Sequence, residues 1–212
     1  MRIMWMMSVV LVAAAVLLAS GCSAHGSTVS AQGVAQQASV QRQTNQQQPA
    51  PAEKIPSGDI PDSQQFVTFI SKAGHYRLEV PEGWARTNQL GDVSFVSKLD
   101  GLSVHLGLMA TTPTVSILTD GPVKKLISGG NAVTIRTIVP VTMHGEQAIR
   151  LVYDSNSQPD AVTGKRVRLE NNMYFFYEGT GGTLAELRMW APAGADNVDQ
   201  WRRISSSFTW TK

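Results

Sequence analysis

The sequence predicts an α+β domain: a twisted antiparallel β-sheet with helices packed on it, in three α/β/α layers. Three observations lead there. Several segments between Phe66 and Trp190 alternate apolar and polar residues with a period of two, the mark of half-buried antiparallel strands. Two segments, Thr114 to Ser128 and Asp196 to Ser206, space their apolar residues at helical intervals instead. The last two long strands carry apolar side chains on both faces, so each face of the sheet needs a cover.

The chain opens on a different pattern. Arg2 is followed by an unbroken apolar run from Val9 to Leu18, then by Ala19-Ser20-Gly21-Cys22. A basic start, an apolar stretch and a small-residue cleavage site form an export signal. A cysteine directly after the small residues points to lipidation, because its thiolate is the nucleophile suited to take up a diacylglyceryl group. Residues 1–21 are therefore expected to be a signal peptide and Cys22 the lipidated N-terminus. The alternatives are a transmembrane anchor and a plain secretory peptide. Ile3 to Ala19 is at the short edge of the ~20 residues that span a bilayer, and no basic stop-transfer cluster follows. Alanine stands at position 19, where a lipoprotein signal more often has leucine. Cys22 is the only cysteine, so the mature chain is expected to carry no disulfide, thiol catalysis or cysteine-ligated metal.

Residues 22–62 read as a tether. They are rich in Gln, Ser, Ala, Gly and Pro and nearly free of large apolar side chains, so they lack the surface to offset their ordering entropy. A flexible coil of this length spans about 35 Å. Residues 63–212 remain as one domain with a single core. The formal net charge of +2 comes from scattered residues. No basic stripe suggests nucleic acid or an anionic membrane surface as a partner, and a monomeric domain is expected.

Within the domain, Phe66–Ile70 is a short first strand. His75 to Val80 alternates, with Tyr76, Leu78 and Val80 on one face, and Pro81-Glu82-Gly83-Trp84 ends it with turn chemistry. Val93–Lys98 and Leu102–Ala110 follow, the latter with Leu102, Val104, Leu106 and Leu108 on one side. Thr114 to Ser128 is helical, with Asp120-Gly121-Pro122 either breaking it or capping a second short helix. Strands are then expected at Ala132–Met143, Gln147–Tyr153, Arg166–Glu178 and Thr183–Trp190. Asp196 or Asn197 caps a last helix that buries Val198, Trp201 and Ile204. Phe208 and Trp210 form a short apolar tail.

The stretch His75 to Trp84 resembles the strand and Pro-x-Gly-Trp opening of PsbP-like domains. That superfamily takes in the extrinsic oxygen-evolving subunit of photosystem II, a small Ran-binding nuclear import factor and many exported bacterial lipoproteins. Tyr177-Glu178-Gly179, the helix around Trp201-Arg202-Arg203-Ile204 and Ser206-Ser207-Phe208 are similar to the family's closing hairpin, helix and ending. The resemblance covers residues 66 to 210. It implies a fold in which Pro81 and Gly83 shape a turn, Trp84 packs at the core edge and Phe208 seals the final helix. It also implies a habit of non-enzymatic binding. It supplies no ligand or metal residues, and fold alone does not fix function.

The chemistry-bearing motifs are few. There is no Gly-x-Ser-x-Gly elbow, His-Glu-x-x-His helix, phosphate loop or dinucleotide fingerprint. No cofactor is expected. His75 and His105, with Glu79 or Glu146, have no diagnostic metal spacing, and solvent-facing strand histidines are the plainer reading. Glu79, Glu170 and Glu186 each stand two residues from an arginine, Arg77, Arg168 and Arg188, which points to charge pairing on a wet face rather than to acid–base work. No catalytic or metal residue is therefore assigned.

Tyr174, Phe176 and Trp190 are read as alternating opposite to Phe175, Tyr177, Leu187 and Met189. Either helices cover both faces, or this trio forms an exposed aromatic patch that binds a partner. The expected function is that of a lipid-anchored extracytoplasmic accessory module, non-enzymatic, engaging an envelope protein or a small apolar ligand. It would sit on the cell membrane, or on the outer membrane of a cell that has one. The alternative is an extracytoplasmic enzyme, most plausibly a hydrolase.

Overall fold

A computed structural model describes residues 48–49, 58–89, 92–179 and 181–211. The signal segment, Cys22 and most of the tether lie outside them. The described residues form ten strands and two helical regions: β1 (Phe66–Ser71), β2 (Tyr76–Pro81), β3 (Ala85–Gln89), β4 (Asp92–Ser97), β5 (Asp100–Leu108), α1 (Val115–Leu118), α2 (Lys124–Ser128), β6 (Thr134–Met143), β7 (Glu146–Asn156), β8 (Arg168–Glu178), β9 (Thr183–Pro192), α3 (Val198–Ser206) and β10 (Thr209–Trp210). The fold is α+β, as the alternation predicts.

The strands form two antiparallel sheets. The larger has the order β3-β4-β5-β9-β8-β7-β6, the smaller β1-β2-β10. Two strands, one in each sheet, escape the period-two reading. β10 is only two residues long, and it pairs Thr209 with Arg77 and Trp210 with Tyr76. β3 is Ala-Arg-Thr-Asn-Gln and exposed throughout, so it has no buried face to alternate.

Both faces of the large sheet are covered. On one, Leu102, Val104, Tyr174, Phe176, Leu187 and Met189 pack against the small sheet and against Trp201 and Ile204 of α3. On the other, Ile149, Leu151, Tyr153, Phe175 and Leu184 pack against Leu118 and Val123 from the helical segment 115–128. Each fully buried large side chain contributes about 1.5–3 kcal/mol of transfer free energy.

The 115–128 segment is continuous. Thr114 caps it, with Oγ1 accepting from Ile117 N at 3.2 Å. Between α1 and α2 runs one wide π-type turn, Thr119–Val123, that contains Pro122. Proline lacks an N–H and crowds the preceding turn of an α-helix; the wider turn accommodates it without a break. Asp120 therefore caps nothing.

The boundary placed between residues 62 and 63 is corrected. Ile60 is 4% exposed and belongs to the main core. Its N–H donates to Asn197 Oδ1 at 2.7 Å, and its carbonyl accepts from Gln200 Nε2 at 3.0 Å. Asn197 Nδ2 also donates to the Gly58 carbonyl at 2.8 Å. Asn197 stands at the N-cap of α3, yet its side chain holds residues 58–60 instead of capping the helix. Among the described residues, no helix is long and apolar enough to cross a membrane.

Candidate functional site

The aromatic trio comes apart. In the β8–β9 register Tyr174 faces Leu187 and Phe176 faces Ala185, whereas Trp190 faces Asn171. Directly opposed residues share a face. Tyr174 and Phe176 thus lie on the α3 side and Trp190 on the other. Phe176 is 1% exposed, in a stack that runs from Tyr174 through Phe176, Phe208 and Tyr76 to Phe69. Its ring centroid is 4.2 Å from that of Phe208. Burial on this scale is what α3 and the chain end impose, and it removes the exposed patch. The expected roles of the turn and tail residues do appear: Gly83 has φ +83°, Trp84 packs against the core, and Phe208 seals it at 1% exposure.

Two connected recesses flank α3. The larger, of about 680 Å³, lies between β2, β10 and the helix and is lined by Thr68, Arg77, Glu79, Arg203 and Ser207 among others. The second, of about 440 Å³, is lined by Val141, Met143, Arg150, Tyr174 and Trp201. They share His144, Arg202 and Ser206. His144 reaches this position from the tight β6–β7 turn, where its φ is +48°. Arg150 donates through Nε to Asn172 Oδ1 at 2.9 Å and lies over the Tyr174 ring at 6.0 Å.

The acids here are already paired. Glu79 bonds Arg203 at 2.5 Å, and this bond raises the arginine pKa. Asp199 pairs with Arg202 at 2.9 Å. Glu170 pairs with Arg136, which also holds Asp154, at the β6 bulge. Cross-strand charge pairing was expected for Glu79 and Glu170; Glu79 instead pairs with an arginine of α3, and Glu170 with one of β6. Arg168 instead turns inward to the Ala132 carbonyl at 2.6 Å and to Thr134. Ser207 Oγ accepts from Glu79 N and donates to the Ile204 carbonyl. Its hydroxyl is spent on structure. Arg77 makes no ion pair among the described residues and stands exposed at the groove rim.

The opposite face holds a grouping that was not anticipated. Asp92, His105 and Glu186 are consecutive across β4, β5 and β9. His105 faces Glu186 in the register, and its Nδ1 lies 2.7 Å from Asp92 Oδ1. Burial raises the Glu186 pKa, with Asp92 pushing the same way and His105 and Lys125 opposing. The adjacent Arg188 hid this arrangement in the sequence. In the fold Arg188 turns to Asn171 rather than to Glu186. Among the described residues, no group of three His, Cys, Asp or Glu could hold a metal ion.

No family model and no curated protein matches the chain. Solved structures do. The cyanobacterial PsbP, CyanoP, from Synechocystis sp. PCC 6803 is 17% identical with a TM-score of 0.51, over 73% of this chain and 99% of that one. The Ran-binding protein Mog1p of Saccharomyces cerevisiae is 9% identical with a TM-score of 0.51, over 71% and 97%. A Bacteroides thetaiotaomicron protein is 13% identical with a TM-score of 0.43, and this chain spans only 48% of its length. The first two show a shared fold. The fold is PsbP-like, with the antiparallel sheet and packed helices that the Pro81 to Trp84 opening implied.

Proposed function

We propose that this chain is a non-enzymatic accessory module, anchored by lipid at Cys22 outside the cytoplasm, that binds an envelope protein through the groove flanking α3. One observation carries the reading. The recess of about 680 Å³ beside α3 is lined by paired charges, and among its arginines Arg77 alone makes no ion pair among the described residues. Such a surface suits recognition of polar or acidic protein segments and lacks the parts of a catalytic centre. Charged walls also argue against a small apolar ligand at this place. Mog1p, one of the fold's neighbours, is a Ran-binding protein, which supports protein binding as a use of such a fold.

The test is photocrosslinking in native envelopes. A crosslinker replaces Thr68 in the groove or the exposed Ile127 of α2, on the opposite face, in the full-length chain. The reading expects one discrete adduct from position 68, lost in Arg77→Glu, and none from position 127. Equal labelling from both positions, or an adduct indifferent to Arg77, refutes it.

A second reading rests on Asp92, His105 and Glu186. A histidine oriented by one carboxylate beside a protonatable acid is the kind of set hydrolysis uses. His105→Ala and Glu186→Gln decide between the two. Complete loss of in vivo function with an unchanged melting temperature favours the enzyme; retained function favours the accessory module.

A further inference from the structure

A third recess, of about 390 Å³, opens on the face opposite the groove. It lies between the ends of β7, β8 and β9, the C-terminal side of α2 and the 157–167 loop. Its polar end is built in layers. Asn171 is fully buried, and its amide donates to Ser155 Oγ at 3.0 Å and to the Tyr153 carbonyl at 3.3 Å. Its Oδ1 accepts twice from Arg188, from Nε at 3.0 Å and Nη2 at 2.7 Å. Arg188 further lies over the Trp190 ring at 4.9 Å. Trp190 in turn covers Gly101, where an added Cβ would fall inside the indole. The guanidinium is thus fixed by its Nε side, and its outer edge, Nη1 and the second Nη2 hydrogen, has no partner among the described residues.

Tyr153 supplies the second element. It is 0% exposed and lines the recess, yet its hydroxyl has no hydrogen-bond partner among the described residues. An unsatisfied buried hydroxyl costs about 1–3 kcal/mol. Burial raises its pKa, so at neutral pH it is a donor. Lys98 and Lys165 stand on the rim. The one nearby lining acid, Asp160, accepts from Val162 N, Thr163 N and Thr163 Oγ1, bonds that lower its pKa. Leu99, Leu126, Val133, Val167 and Leu169 form apolar walls.

We propose that this recess binds a small organic carboxylate with an apolar body. The carboxylate sits on the outer edge of Arg188 and takes the Tyr153 proton in a hydrogen bond, while the apolar part lies against Leu126, Val133 and Leu169. The planar end of a guanidinium matches a carboxylate's two oxygens. Mixed apolar walls with a few fixed polar groups are the usual form of a small-molecule site. This site is separate from the groove at α3, and either can fail without the other.

Benzoate is the probe and benzamide the neutral control, each titrated into the full-length chain. The readouts are the Trp190 indole N–H resonance and the melting temperature. Benzoate is expected to shift the Trp190 signal saturably and to raise the melting temperature, and benzamide to do neither. Tyr153→Phe removes only the orphan hydroxyl. It should melt at or above the native temperature while weakening benzoate tenfold or more. Arg188→Gln should abolish binding; because it also frees Asn171, the Tyr153 variant carries the test if the arginine variant misfolds. Benzoate that fails to bind at millimolar concentration, binds Tyr153→Phe equally well, or is matched by benzamide overturns the proposal.

Discussion

Asp100 opens β5 and is 7% exposed, and its Oδ1 accepts no hydrogen bond among the described residues. The segment around Gly58 closes over it; a Cβ at Gly58 would lie 2.6 Å from that oxygen. Burial raises its pKa to about 7, the Asp59 charge pushes the same way, and Lys98 opposes. A carboxyl raised in the folded state holds its proton more tightly there than in the unfolded chain, so its ionisation opposes folding. Below the unfolded pKa of about 4, both states are protonated and no penalty exists. From there to about pH 7 stability falls as pH rises, and above pH 7 the full penalty stands. Three pH units at ~1.36 kcal/mol each set a ceiling of about 4 kcal/mol. Relaxation of the site toward a higher effective dielectric brings this to about 2 kcal/mol. Asp100→Asn keeps the shape and cannot ionise. It should raise the melting temperature at pH 8 by about 4–8 °C and leave it unchanged near pH 4. Circular dichroism melts of both proteins from pH 4 to 8.5 read the effect. A variant that melts no higher than the native chain at pH 8, or that keeps the native slope between pH 5 and 8, would refute the reasoning.

Cys22→Ala should release the protein from membranes or leave an uncleaved precursor; unchanged fractionation and unchanged mass would exclude lipidation at Cys22. Ile60→Ala should cost about 2–4 kcal/mol by urea titration, as deletion of a core side chain does, and a chain begun at Ser63 should melt below one begun at Gly58. Phe176→Ala should cost about 3–5 kcal/mol; a loss under 1 kcal/mol would return it to the surface. Gly101→Ala should displace the Trp190 indole, detected as a changed tryptophan emission maximum, because Cβ and ring cannot share one place.

The elements with one buried face were legible. β2 and β5 alternate because one side meets a core, and α3 shows its Trp201 and Ile204 stripe for the same reason. β3 was not legible: an edge strand with no buried residue has no pattern to read. Ile60 was missed because a single apolar residue among Gly, Pro and Asp carries no period. Only the fold brings it beneath Asn197 and Gln200, 137 and 140 residues away in the chain. The aromatic trio failed for a subtler cause. Alternation fixes which residues of one strand share a face, but not how that face relates to the next strand. The β8–β9 turn sets that relation, and it placed Tyr174 with Leu187 rather than opposite it. The site residues suffered likewise. Glu186 and Arg188 look paired in sequence, yet the neighbouring strands supply His105 to one and Asn171 to the other.

The topology also bears on how the chain can be delivered. β5 ends at Leu108 and its second partner, β9, begins only at Thr183; β2 waits for β10 at Thr209. A polypeptide that emerges N-terminus first therefore displays β1 to β5 long before their remaining partners exist. Phe208, which stacks on both Tyr76 and Phe176, arrives almost last. Pairings this distant along the chain form slowly. The domain cannot close until nearly every residue has been released, and until then the chain stays threadable. The proposed export would draw on this delay, and the same delay leaves Val93, Phe95, Leu102 and Val104 uncovered in the interval, open to a holding chaperone or to aggregation.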